Sequence, residues 1–144
     1  MGDRSNIVVV QPDNSRIFLY GHWMGDDNYR VAGQVLSRQE RWNDAPYLAR
    51  MLFSLMTSHD PNSDTGFGIS TTMCDNEYPI VVIDPQNQSV HLEEYIWGEL
   101  PDGQETRFSI ITPPVTFEEF VNAYSVSESL NDLAVNMGSK LTPA

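Results

Sequence analysis

The sequence predicts an α+β domain: a mostly antiparallel sheet of hairpins with helices packed on one face, ordered ββαα, then strands, then a C-terminal helix. Three observations carry this. Two pairs of β-rich runs, within residues 7–20 and 79–97, are each joined by a short turn cluster. Between them lie two stretches whose apolar residues recur at helical spacing. Near the end, Thr116 and Glu119 stand three apart at the head of a third such stretch.

Taken in order, Ile7 to Val10 and Arg16 to Tyr20 flank QPDNS, a turn short enough to close a hairpin. In RIFLYGHWMGDDN the second strand then runs into His22-Trp23, set between two glycines and ahead of two aspartates. Asp26 or Asp27 can cap a helix reaching about Arg38, with Val31, Val35 and Leu36 on its apolar side and Gly33 interrupting it. Asn43 or Asp44 caps the next helix, and Pro46 occupies its first turn, where the missing N–H costs nothing. Leu48, Met51, Leu52, Leu55 and Met56 mark it as the main core helix. Residues 58–66, SHDPNSDTG, form a polar loop long enough to be mobile and to carry function.

GFGISTT reads as a strand, CDNEYP as a turn, and the runs on either side of Asp-Pro-Gln-Asn as a second hairpin. Alternation in SVHLEEY predicts one wet sheet face there, with the acidic residues outward. PDGQET is another turn and RFSIITPP another strand, ended by Pro113-Pro114. The Thr116/Glu119 capping box opens a helix with Phe117, Phe120, Val121 and Tyr124 on one side. A last helical piece spans Ser127 to Met137, with Gly138 as its stop. One domain is expected over residues 1–138, and residues 139–144 as a frayed tail.

Composition narrows the function classes. At 144 residues and 40% hydrophobic, the chain suits one domain with a real core. Its opening, MGDRSNIVVVQPDNS, has an apolar run of only four residues, so neither a signal peptide nor a membrane span is expected and the chain reads as soluble and cytoplasmic. The single Cys74 excludes an intrachain disulfide. A net charge of −12 argues against nucleic acid and anionic membranes as partners. That charge is uneven: residues 1–57 hold six acids and six arginines, whereas residues 58–144 hold fourteen acids with only Arg107 and Lys140. An anion site, if present, belongs to the first part. Arginine suits bidentate contact with carboxylate or phosphate.

Candidate site residues follow from this. Tyr20, His22 and Trp23 end a strand, where Trp23 or Tyr20 can stack on a planar base and His22 can donate to it; equally, Trp23 can plug the core and His22 cap a helix. RQERWNDAPYLAR brings Arg38, Arg41, Trp42, Tyr47 and Arg50 around a helix start that can receive a phosphate; alternatively Arg41 and Arg50 simply pair with Asp44 or Glu40. Cys74 carries no nucleophile signature and reads as a small buried side chain. His22 with Asp26 or Asp27 lacks the paired-histidine spacing of zinc helices, and no phosphate-binding glycine loop is present. No cofactor, metal or catalytic residue is assigned.

The combination of LYGHW, RWNDAPYLARMLF, GFGIST and DNEYPIVVIDPQNQSV resembles a family of small proteins encoded by actinobacterial phages, prophages and their hosts. The resemblance covers roughly residues 17–90 and implies an origin rather than a mechanism. Phage origin favours two non-enzymatic roles in the host cytoplasm. In one, Tyr20, His22, Trp23, Arg41, Trp42, Tyr47 and Arg50 line a pocket, at an interface of a homo-oligomer, that sequesters a nucleotide immune signal. In the other, the acidic surface from Asp60 to Asp132 mimics nucleic acid or inhibits a basic host protein. A nucleotide hydrolase is the third reading.

Overall fold

The computed structural model of the chain describes residues 3–62 and 65–138; the tail 139–144 lies outside them. The elements run β1 (Ser5–Val10), β2 (Arg16–Gly21), α1 (Asp27–Ser37), α2 (Ala45–Met56), β3 (Phe67–Ser70), β4 (Ile80–Asp84), β5 (Ser89–Tyr95), β6 (Phe108–Ile110), β7 (Val115–Thr116), α3 (Phe117–Ser125) and α4 (Leu130–Asn136). The architecture is α+β with a mixed, mostly antiparallel sheet. Its order differs in detail from the expected one: a two-residue strand precedes the two C-terminal helical pieces, the last of which begins at Leu130 rather than Ser127.

Strands lie in the order β3-β2-β1-β4-β5-β6, with β7 also pairing β5. The arrangement is two antiparallel meanders, β1-β2-β3 and β4-β5-β6, joined along a parallel seam that pairs Ile7, Val8 and Val9 with Val81, Val82 and Ile83. That seam was not expected from hairpins alone. It sits mid-sheet, and all six of those residues are fully buried. Burial on both faces explains why IVVV and IVVI are continuous apolar runs rather than alternating ones.

All four helices contribute to one core on one face, where Leu48 and Leu52 of α2 and Phe117 and Phe120 of α3 meet Ile7, Leu19, Val81 and Leu92. Helix starts follow their local chemistry. Asp44 accepts from Tyr47 N at 3.2 Å, and Thr116 and Glu119 complete a reciprocal capping box. At α1 the expectation fails: Asp26 occupies the N-cap position but makes no side-chain cap bond. The amide of buried Asn28 instead donates to the backbone carbonyls of Asn6 and Pro79, tying the first turn of α1 to the sheet.

The opposite face closes on itself. Phe18 of β2 and Phe108 of β6 are four strands apart in the sheet, yet their ring centroids lie 5.9 Å from each other. Neighbouring strands are about 4.8 Å apart, so a flat sheet would leave these rings far out of reach. The sheet is therefore strongly curled, with Val8, Phe18, Ile80 and Val82 in a second, smaller core on its concave side. Here the expectation of outward acids is overturned for Glu93, which is 2% exposed. Arg16 of β2 reaches across β1 and β4 to donate Nη1 and Nη2 to its two carboxylate oxygens, each at 2.8 Å. His91 Nε2 lies 2.6 Å from Oε2.

Burial pushes the Glu93 carboxyl up, but the hydrogen bonds from Arg16 and His91, and then their charges, outweigh it and hold the group at about 2 against an ordinary 4.5. Ionised, Glu93 only accepts, so His91 Nε2 carries the hydrogen in that bond. A carboxyl depressed on folding contributes stability that is complete above its unfolded value and lost as pH falls through its folded one. Stability is thus expected to decline between about pH 4.5 and pH 2, and Glu93→Gln to flatten that limb. Urea unfolding at stepped pH checks this; an unchanged acid limb in Glu93→Gln contradicts it.

Candidate functional site

The corner between β2 and α1 presents Trp23 outward. His22 N donates to Gly66 O at 2.8 Å, which brings the loop before β3 under the indole. Gly66 has φ +94°, and a Cβ there would come 2.7 Å from Trp23 Cζ3, so only glycine permits this backbone so close to the ring. Behind the indole, the Tyr20 hydroxyl and His22 Nδ1 share a 3.0 Å hydrogen bond, and the His22 ring meets Trp23 edge-on at 4.7 Å. Trp23 remains 63% exposed. Of the two readings left open for it, the structure rejects the core plug.

Trp23 borders a hollow of about 400 Å³ between α1, the end of α2 and the start of β3. Met24, Val31, Leu55, Met56 and Phe67 supply apolar wall. Asp27, Arg30 and Gln34 enter from α1, and Ser58 and His59 from the polar loop after α2. A second hollow, of about 580 Å³, is lined by Arg38, Tyr47, Arg50, Met51 and Ser54. Both hollows have Leu55 and Ser58 in their lining, so they adjoin at the C-terminal end of α2, and the pair is termed the cleft.

The charges in the cleft fall into two kinds. Arg30 is engaged: Nη1 donates to Asp27 at 2.9 Å, Nη2 donates to the Glu128 carbonyl at 2.9 Å, and the guanidinium sits 4.8 Å from the Tyr29 ring centroid. Desolvation works against its charge, but the bond to Asp27 and the charges of Tyr29, Asp26 and Asp27 raise its pKa. Arg38, Arg41 and Arg50 have no carboxylate partner among the described residues, so the expectation that Arg41 and Arg50 pair with Asp44 or Glu40 is overturned. Arg41, at a left-handed φ of 58°, lies 4.4 Å over the Tyr47 ring, and Arg50 Nε donates to Ser54 Oγ at 2.8 Å. Three arginines without a carboxylate partner among the described residues are thus grouped near Tyr47 on a strongly acidic chain.

The seven residues singled out from sequence therefore divide. Trp23 faces the first hollow, with Tyr20 and His22 supporting it from behind. Tyr47 and Arg50 line the second, with Arg41 stacked on Tyr47. Trp42 does not belong to either: its Nε1 donates to the Leu36 carbonyl at 3.1 Å, closing the end of α1, and its ring packs edge-on against Phe117 at 5.3 Å. Sequence reasoning missed Asp27, Arg30 and Gln34 as site residues, although their three- and four-residue spacing, with Val31, places them on one helix face. His59 lies in the polar loop 58–66 that was expected to carry function, though it was not singled out there, and Phe67 was missed as well. Cys74 is exposed rather than buried.

Comparison with protein-family models, with curated proteins and with solved structures returned no match. Among the described residues no helix is long and apolar enough to cross a membrane.

Proposed function

We propose that the protein binds a nucleotide without turning it over, as a phage-encoded counter-defence sponge that sequesters a host immune signal in the host cytoplasm. The observation that carries this reading is the juxtaposition of an exposed tryptophan over an apolar hollow with three arginines that have no carboxylate partner among the described residues. A planar ring fits against Trp23, and phosphate suits Arg38 and Arg50, whose free N–H groups match its oxygens. Phage origin rests on the resemblance of residues 17–90. A second copy of the chain, in this reading, covers the open side of the cleft.

The test is thermal shift with cyclic di- and trinucleotides and cyclic ADP-ribose isomers, followed by recovery of the ligand on heating. Ligand at a hundredfold its Kd is expected to raise the melting temperature by roughly 8 °C and to be recovered intact. Trp23→Ala should weaken binding about 10- to 100-fold, and Arg38→Ala with Arg50→Ala should abolish the shift while leaving the apo melting temperature near that of the parent. Altered ligand would point to a nucleotide hydrolase instead. No shift, with salt-sensitive capture of a basic host protein, would favour the acidic surface as the working face.

A further inference from the structure

We infer that the tryptophan hollow reads a guanine base, with Asp27 and Arg30 of α1 as the residues that select it; this rests on the cleft being a nucleotide site. A ring held against Trp23 and the apolar wall turns its edge toward the polar groups of the same hollow, and α1 supplies the charged ones. The two are locked together. Arg30 Nη1 donates to Asp27 Oδ1 at 2.9 Å, while Oδ2 accepts nothing among the described residues. Through that bond the groups follow one another as Oδ2, an acceptor; Oδ1, an acceptor; and the Arg30 guanidinium, a donor with N–H groups beyond those given to Asp27 and Glu128.

Acceptor, acceptor, donor is the pattern by which cytosine meets guanine. Guanine answers it with N2–H, N1–H and O6 in the same order. Adenine sets its N1 lone pair where the carboxylate needs a donor, cytosine does so with N3, and uracil places carbonyls on both sides of its single N–H. Guanine alone among the four bases offers two adjacent donors to one carboxylate.

The pair is also held ready. The Glu128 carbonyl fixes Arg30 Nη2 at 2.9 Å and the Tyr29 ring lies beneath the guanidinium, so Arg30 does not have to reorganise when a base arrives. The same Nη1 lies 3.7 Å from Asp26 Oδ1, so Arg30 shares its charge between two carboxylates, with the shorter contact to Asp27. Phosphate on the same ligand would extend past Leu55 and Ser58 toward Arg38 and Arg50.

Calorimetric titration with 5′-GMP, 5′-IMP and 5′-AMP, and with cyclic di-GMP against cyclic di-AMP, tests the assignment. Guanine is expected to exceed adenine by about tenfold or more, with inosine, which keeps N1–H and lacks the 2-amino group, between them. Asp27→Asn, at a site 64% exposed on its side chain and therefore tolerant of the change, should bring guanine and adenine within about threefold. Arg50→Ala should weaken both by the same factor. Adenine binding as well as guanine, or discrimination surviving in Asp27→Asn, would overturn the base assignment and leave nucleotide binding standing. If none of these ligands binds, the guanine assignment falls, and nucleotide binding falls with it only where the cyclic trinucleotides and cyclic ADP-ribose isomers also give no thermal shift.

Discussion

Arg16→Met is expected to lower folding stability by about 3–5 kcal/mol at pH 7, measured by urea unfolding, because it leaves the Glu93 carboxylate buried without its bidentate partner. Glu93 is 2% exposed, so water cannot replace the two lost hydrogen bonds, and His91 supplies only one. Some of the loss comes from packing, since the guanidinium also sits 5.3 Å from the Phe108 ring centroid across the concave face. Methionine keeps much of that volume, which makes the charge the larger part. Restoring balance should restore stability: Arg16→Met with Glu93→Leu removes both charges together and is expected to recover most of the deficit, since a buried ion pair is often no more stabilising than apolar side chains of similar volume. If Arg16→Met alone costs less than about 1 kcal/mol, the carboxylate reaches water and the curled sheet is looser than described.

The same pair shows where reading a sequence stops. Hairpins, the Asp44 cap, Pro46 in the first turn of α2 and the Thr116/Glu119 box are written in neighbouring residues, and each was legible because its energetics are local. Glu93 was not, because its partner stands seventy-seven residues earlier and the curl that unites them is a property of the whole sheet. The parallel seam was hidden for a like reason: a hairpin announces itself in its turn, whereas β1 and β4 meet only after two helices and two strands have intervened.

The candidate site divides along the same line. Trp23 stood out because glycines bracket a strand-to-helix corner, and its indole is indeed displayed there. Trp42 carried an equally suggestive neighbourhood of arginines, yet its ring is claimed by Phe117, which no residue near Trp42 foretells. Asp26 or Asp27 reads as a helix cap, the commonest duty of an aspartate at a helix start. The bond of Asp27 to Arg30, one turn along, was within reach of spacing arguments; that both face the tryptophan hollow was not, because the opposite wall comes from α2 and β3.

Gly33→Val should cost about 2–4 kcal/mol, the second large effect, although intrinsic helix propensity alone favours the substitution by a few tenths. Gly33 lies in the middle of α1, where glycine is ordinarily a weakness, and the contact across it explains its presence. A Cβ at position 33 would fall 2.3–2.5 Å from Cγ, Cδ1 and Cδ2 of Tyr124, so the ring of α3 rests directly on the α1 backbone. Overpacking of this kind costs about 1–3 kcal/mol, and the displaced ring would also lose its edge-on contact with Tyr29, at 6.2 Å, for roughly another 1 kcal/mol. Gly33→Ala should be milder but of the same sign, which separates steric overlap from propensity, because propensity alone predicts a gain of about 1 kcal/mol. The decisive comparison is the double variant. Tyr124→Ala clears the space, so Gly33→Ala made in that background should turn from destabilising to neutral or stabilising in the same urea titration. An unchanged penalty in the Tyr124→Ala background would mean that α1 resists a side chain at position 33 for some reason other than the tyrosine above it.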